Sequence, residues 1–245
     1  MPERPDRIVV VGAGVLGLSC ALRLLEAGHR VDVLARDLPL ETTSCVAAAI
    51  WYPYLALPQD KVTTWGRAAY AEFARLSELG ADGVTMRRGT ELFLERTGDP
   101  WWRDAVPSLD RVPPRAPYVD GWSFVTPVVD MPRYLAWLSE RVLDAGGTVT
   151  RMALARLPAA PLVVNCSGLG SRALADDILR RATALVPGVA RARVLRHKVG
   201  LRPARPEVRL ERVGDVIHCY GHGGAGVTLS WGCADEVTAL VGDPA

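Results

Sequence analysis

The stretch Arg7-Ile8-Val9-Val10-Val11-Gly12-Ala13-Gly14-Val15-Leu16-Gly17-Leu18-Ser19-Cys20 decides how the first part of this chain folds. Its β-branched run breaks at Gly12, and apolar residues then recur as Leu18, Leu22 and Leu25 at helical spacing until Gly28. A second apolar run, Val31 to Leu34, follows at once, so residues 1–35 read as strand, tight turn, helix and parallel strand. The three glycines have separable tasks in that turn. Gly12 allows the sharp bend, Gly14 lets a pyrophosphate approach the backbone, and Gly17 lets the helix pack closely, while the helix N-terminus offers N–H groups and a positive dipole end. A glycine turn that merely packs a helix on a sheet is the bland alternative, and the strand-turn-helix setting favours dinucleotide binding. After the second strand the order is Leu34-Ala35-Arg36-Asp37. The acid expected on ribose hydroxyls therefore comes slightly late, and Arg36 stands where it could meet a phosphate instead.

Outward from this unit, the 245 residues are 49% hydrophobic and 23% charged with a formal net charge of +2, which excludes a disordered or fibrous chain. The length suits one domain or two intimately packed ones. Basic and acidic residues nearly balance and no basic run is interleaved with aromatics, so nucleic acid is not an expected partner. Only Lys61 and Lys198 are lysines, leaving few candidates for amine chemistry. Cys20, Cys45, Cys166, Cys219 and Cys233 are widely spaced, odd in number and form no C-x-x-C pair, so the expectation is neither a disulfide framework nor a metal site. A reducing cytoplasm follows as the expected compartment. Arg4, Arg7 and the apolar run after them imitate a signal peptide, but the glycines inside that run have their own explanation, and no uninterrupted apolar run of about 18 to 20 residues suggests a membrane span.

From about Pro58 to Thr126 the chain holds most of its tryptophans and many prolines, with short apolar runs at Glu91 to Leu94 and Trp122 to Val125, which predicts an antiparallel, loop-rich region. A helix is expected from Asp130, a good N-cap, with Pro132 in its first turn and an apolar stripe Tyr134, Leu135, Leu138, Val142, Leu143 ending at Gly146. Leu162 to Cys166 reads as a buried strand leading into a Gly-containing turn, Ser167 to Gly170. Ile178 to Val186 reads as a helix. Strands follow near Arg193 to Leu201, Val208 to Leu210 and Val216 to Tyr220, and a last helix spans roughly Val227 to Val241.

Three further constellations carry chemistry. Glu41 to Tyr54 sets hydroxyls, then small residues, then large flat ones, as a backbone approached by something planar requires; a cap at Thr43 or Ser44 on a short helix ended by Pro53 explains it equally well. In Gly200-Leu201-Arg202-Pro203-Ala204-Arg205-Pro206 an arginine fixed by prolines suits bidentate carboxylate recognition, although a structural salt bridge is the commoner fate of such a residue. Tyr220 to Thr228, with four glycines opening the last helix, is a second backbone cradle. His218 and His222 lie four apart but straddle a strand end and a glycine loop, and no metal is expected there.

In this order the segments VVVGAGVLGLS, TTSCVAAAIWYPY, VVNCSG, VGLRPARPEVRLE and HCYGHGGAGVTLSWGCA resemble the FAD-dependent D-amino-acid oxidase family over almost the whole chain. The resemblance implies an α/β fold in which a Rossmann-like FAD domain, residues 1–57 and 128–245, carries an inserted antiparallel α+β substrate domain, residues 58–127. It implies that Gly12, Ala13, Gly14 and Gly17 face the FAD pyrophosphate, with Arg36 and Asp37 near the adenosine. Thr43 and Ser44 would bind phosphate or ribitol, and Ala48, Ala49 and Ile50 would lie against the isoalloxazine. Ser167 and the loop Gly223, Gly226, Val227 and Thr228 would complete the cofactor site. Arg202 would hold the carboxylate of a D-amino acid, the Gly224 carbonyl would accept from its amine, and Tyr52 and Tyr54 would line the pocket. The implied chemistry is hydride transfer from Cα to flavin N5, with oxygen as final acceptor, peroxide released and the imino acid hydrolysed to a 2-oxo acid.

One departure stands out. The family normally has a long strand-rich segment, carrying a tyrosine over the substrate carboxylate, between the NCSG turn and the helix matching Ile178 to Val186; here Asp176-Asp177 joins them directly. A natural short variant, a gene-level deletion and an omission of residues all account for it. A chain this short is expected to bind FAD more weakly and open its pocket to water, leaving the substrate domain incomplete. The alternatives to a D-amino-acid oxidase are then a flavin-binding remnant without turnover, or an oxidase of glycine or N-methyl amino acids. The sequence leaves the oligomeric state open, a homodimer included.

Overall fold

The computed structural model describes residues 7–53, 55–167 and 204–242. The expected helix at Ile178 to Val186, the strand near Arg193 to Leu201, and the residues Tyr54 and Arg202 lie outside them.

The opening unit folds as its pattern dictates. Strand β1 (Arg7–Val11) leads through the glycine turn into helix α1 (Val15–Glu26) and then β2 (Arg30–Ala35). β1 pairs in parallel with β2 from Arg7↔Arg30 to Val11↔Leu34, and Leu18, Cys20, Ala21 and Leu24 of α1 are fully buried. Helix α2 (Gln59–Glu78), strands β3 (Val84–Phe93), β4 (Asp110–Arg111) and β5 (Asp120–Val129), helix α3 (Met131–Asp144), strands β6 (Thr148–Arg151), β7 (Val163–Asn165), β8 (Ala204–Val213) and β9 (Val216–His222), and helix α4 (Gly226–Gly242) follow. Two sheets result. The larger has the order β6-β2-β1-β7-β9-β8 and is parallel except for the β8/β9 hairpin; the smaller is antiparallel, β3-β5-β4.

The larger sheet runs outward from β1 in both directions, to β2 on one side and β7 on the other. The C-terminal end of β1 is thus the switch point where open α/β sheets bind ligands. α3 begins as expected: the Asp130 carboxylate accepts from the Arg133 N–H, and Tyr134, Leu135, Leu138 and Val142 are buried.

Two elements differ from the sequence reading. Residues 59–78, expected to be loop-rich and antiparallel, form the 20-residue α2, because Val62, Trp65, Gly66, Ala69, Tyr70, Phe73 and Leu76 recur at helical spacing and bury one face, which packs on α4. β6, which carries too little apolar pattern to be read as a strand, pairs with β2 at the sheet edge. The short helix considered after Thr43 is a single 3-10 turn, Thr43–Val46, after which the chain extends.

Trp51 joins the layers. It is fully buried, its indole N–H donates to the Gly66 carbonyl of α2 at 3.1 Å, and its ring meets Tyr70, Trp102 and Phe124 edge-on at centroid distances of 5.3, 5.9 and 6.5 Å. Truncating it empties a site walled by α2, β5 and Trp102. Trp51→Ala is expected to lower the unfolding free energy by about 3 to 5 kcal/mol, against less than about 0.5 kcal/mol for Trp101→Ala on the surface, as read from denaturant midpoints.

Candidate cofactor and substrate site

Helices α1 and α4 pack side by side and both start at the C-terminal edge of the parallel sheet, α1 after β1 and α4 after β9. Neither has an acidic residue in its first turn, so two positive helix ends face the same crevice.

The turn before α1 is closed by backbone alone. Gly12 has φ +112°, its N–H donates to Leu34 O at 2.8 Å, and a Cβ on it would lie 2.6 Å from the Cys166 carbonyl oxygen. A Cβ on Gly17 would lie 1.9 Å from Gly12 O. Only glycine fits either position. Gly14 ends the turn as N-cap of α1 without a side-chain cap, and beside it the Ser44 hydroxyl accepts from the Val15 N–H at 3.0 Å. Ala13 is buried under the turn and Thr43 is exposed at the start of the neighbouring 3-10 turn.

At the far end of β2, exposed Arg36 and half-buried Asp37 pair with each other at 2.7 Å. The hydrogen bond from Arg36 holds the Asp37 carboxyl below its ordinary range. Arg151 closes this end by pairing with Glu41 at 2.6 Å and donating to Arg36 O at 3.5 Å.

Between the two helix starts runs the segment 47–52. Ala48 and Ile50 are exposed and Ala49 is buried in the left-handed region (φ +47°). Val129 N–H donates to Ala49 O and Trp51 N–H to Pro127 O, both at 2.9 Å, so this segment is fastened along the end of β5. It is also fastened to α4: the Thr228 hydroxyl accepts from Tyr52 N–H at 3.0 Å and donates to Tyr52 O at 3.1 Å. Its donor is thereby spent, leaving one lone pair. The sequence reading assigned Thr228 to the cofactor, and the structure gives its hydroxyl to the backbone of Tyr52. Val227 is buried beside it, while Gly224 is exposed and Gly223 and Gly226 are partly exposed. Ser167 donates through both its N–H (3.3 Å) and its hydroxyl (2.7 Å) to Asn165 Oδ1, and the Asn165 amide lies 3.3 Å from His218 Nδ1. Burial, then Arg209, hold the His218 pKa below its usual value.

Tyr52 turns toward the smaller sheet, where its ring meets Trp102 at 5.1 Å and its hydroxyl lies near Glu91 of β3. Glu91, which the sequence reading missed, has one buried oxygen without a partner among the described residues, and burial raises its pKa despite the nearby Tyr52 hydroxyl. On the other side Arg205 and Arg209 flank the Tyr220 ring at 5.6 and 5.7 Å from its centroid, and Arg209 donates to the Tyr220 hydroxyl at 2.7 Å.

Bare glycine backbone at a helix start, a second glycine-rich helix start beside it, and an open strip of small residues between them define a flavin- or nicotinamide-type dinucleotide-binding protein. Comparison with known proteins narrows the class. The family described as FAD dependent oxidoreductase matches residues 7–177 and again 167–240, and the chain belongs to that family. The D-amino-acid oxidase of Rubrobacter xylanophilus is 39% identical over 314 positions, covering 96% of both chains, and that of Streptomyces coelicolor is 36% identical over 316 positions, covering 97% of both. The solved glycine oxidase of Geobacillus kaustophilus shares the fold, with TM-score 0.77 at 16% identity, over 96% of this chain and 95% of that one. An alignment of 314 positions against 245 residues leaves at least 69 positions of the Rubrobacter protein without a counterpart here. The family match also breaks and restarts at 167–177, in agreement with the direct joint at Asp176-Asp177. Among the described residues β3 pairs only with β5, so its outer edge has no partner strand.

The residues present suit FAD: the cradle has no side chain where a pyrophosphate would lie, and the strip Ala48 to Ile50 keeps a flat group's width of small or exposed apolar surface.

The raised Glu91 pKa fixes a sign. Its proton is held more tightly in the folded chain, so the wild type has its full stability below the ordinary glutamate value of 4.5 and loses this contribution as pH rises through the folded value. Glu91→Gln, which keeps the shape without the charge, should therefore be more stable than wild type at pH 8, with the difference vanishing toward pH 4; denaturant midpoints at the two pH values read it.

Proposed function

We propose that this chain oxidatively deaminates D-amino acids to 2-oxo acids and ammonia, with FAD as cofactor, oxygen as acceptor and hydrogen peroxide as by-product. The observation that carries this reading is the convergence of the α1 and α4 starts on the strip 47–52, which is fastened in turn to the smaller sheet, in a chain 39% identical to a D-amino-acid oxidase. When bound, FAD supplies the two-electron oxidation of the substrate at Cα and the return of those electrons to oxygen.

The remaining work falls to the chain's own residues. The turn Gly12, Ala13, Gly14, Gly17 and the Ser44 hydroxyl receive the pyrophosphate, Thr43 and Ser167 bind beside it, and Arg36 and Asp37 border the adenosine. Ala48, Ala49 and Ile50 would hold the ring system, together with Gly223, Gly226, Val227 and Thr228. Arg202, as the resemblance assigns it, would hold the substrate carboxylate, and the Gly224 carbonyl would accept from the substrate amine. Two fixed substituents leave one orientation of the Cα–H bond toward the cofactor, which selects the D-isomer. Orientation of a neutral amine makes a dedicated general base unnecessary. Tyr52, backed by Trp102, would form a wall that limits water, and the resemblance assigns Tyr54 to the same pocket. We read residues 58–127 as the substrate-facing unit and 1–57 with 128–245 as the cofactor unit. The five free cysteines support a reducing cytoplasm as the location.

A second reading is favoured by the 69 or more missing positions and the open β3 edge: a flavin-binding chain without turnover. On either reading FAD binds more weakly than a complete substrate domain would allow, so assays need added FAD.

With FAD in excess, oxygen uptake on D-alanine but not L-alanine is expected. Arg202→Ala should raise KM at least about 100-fold, and Arg202→Lys should restore only part of the loss because an ammonium cannot form the paired bonds. Absence of uptake on every D-amino acid and on glycine, by a protein that binds FAD, would favour the second reading.

A further inference from the structure

Four of the five cysteines, far apart in sequence, meet at one point in the core. Cys20 comes from α1, Cys166 follows β7, Cys219 lies on β9 and Cys233 on α4, and His222 ends β9 beside them. The donor atoms of Cys20, Cys166 and Cys219 lie within 4.8 Å of one another, as do those of Cys219, His222 and Cys233. Cys219 belongs to both groups. Cys20, Cys219 and Cys233 are fully buried, and none of the four is in a disulfide.

Buried cysteines often serve as small apolar packing residues, and sulfur alone would carry no more than that here. The imidazole does not fit that account. His222 is 2% exposed, its Nε2 lies 3.4 Å from Cys233 Sγ, and its Nδ1 is buried with no partner among the described residues. A polar ring in a dry core whose Nε2 faces sulfur is placed as a ligand would be rather than as an apolar packing residue. Metal–sulfur bonds of about 2.3 Å set sulfurs about 3.8 to 4.0 Å apart in tetrahedral or trigonal geometry, so donors already within 4.8 Å need only small rotamer shifts to close on an ion. Sulfur and imidazole without carboxylate or water select thiophilic cations of the Cu(I) or Zn(II) kind over Mg(II) or Ca(II).

We propose that this cluster binds one thiophilic d10 cation through Cys219, His222 and Cys233, with Cys20 and Cys166 packed beside Cys219. The site lies behind the β1–α1 turn, against the same Cys166 that Gly12 packs on.

Cd(II) added to the reduced, chelator-stripped full-length protein is the probe, followed by its thiolate charge-transfer absorbance against a competing chelator. One equivalent should bind per chain. Cys219→Ala should weaken binding by about 100-fold or more, whereas Cys45→Ala, which alters the cysteine outside the cluster, should leave it unchanged. His222→Ala serves as a second variant if Cys219→Ala fails to fold by circular dichroism, and should weaken binding as well. Wild-type protein that shows no charge-transfer band at stoichiometric Cd(II), or binding equally tight in a folded Cys219→Ala or His222→Ala, would overturn the proposal.

Discussion

The backbone of Gly12 rests against the carbonyl of Cys166, and everything at the site is arranged around that contact. A Cβ at Gly12 would come 2.6 Å from Cys166 O, and one at Gly17 would come 1.9 Å from Gly12 O. This spacing brings α1 down on the sheet at the switch between β1 and β7, and so aims the start of α1 into the crevice. Cys166 N–H donates to Val11 O at 2.9 Å, which fixes the turn after β7 to the same point. The cofactor cradle is thus a consequence of how tightly two strand ends and one helix can be packed.

The second requirement is that the cradle communicate with the smaller sheet. One extended segment does this, with Ala49 and Trp51 bonded to β5, Tyr52 clamped by Thr228 of α4, and the Trp51 ring locked among Tyr70, Trp102 and Phe124. The segment is therefore fastened at both ends. β3 ends the smaller sheet without a further strand among the described residues.

The features legible in the sequence are those whose geometry is local. Glycine spacing between a strand and a helix, the Asp130 cap with Pro132, and the apolar alternation of β9 each settle a few consecutive residues. Helix α2 escaped because tryptophans and prolines around it masked a regular apolar face from Val62 to Leu76. The features set by chain reversal were not legible at all. Thr228 meets Tyr52 across 176 positions, Glu91 reaches the Tyr52 hydroxyl only through the β3/β5 register, and four cysteines without any motif spacing converge because α1, β7, β9 and α4 share one layer boundary.

The central claim is that this cradle holds a flavin facing a D-amino acid. Its most direct test is the absorbance of the FAD-loaded protein under anaerobic conditions after D-alanine or L-alanine is added. Bleaching by the D-isomer alone is the expected result. A flavin that stays oxidised with both isomers, or bleaches equally with both, would contradict the account.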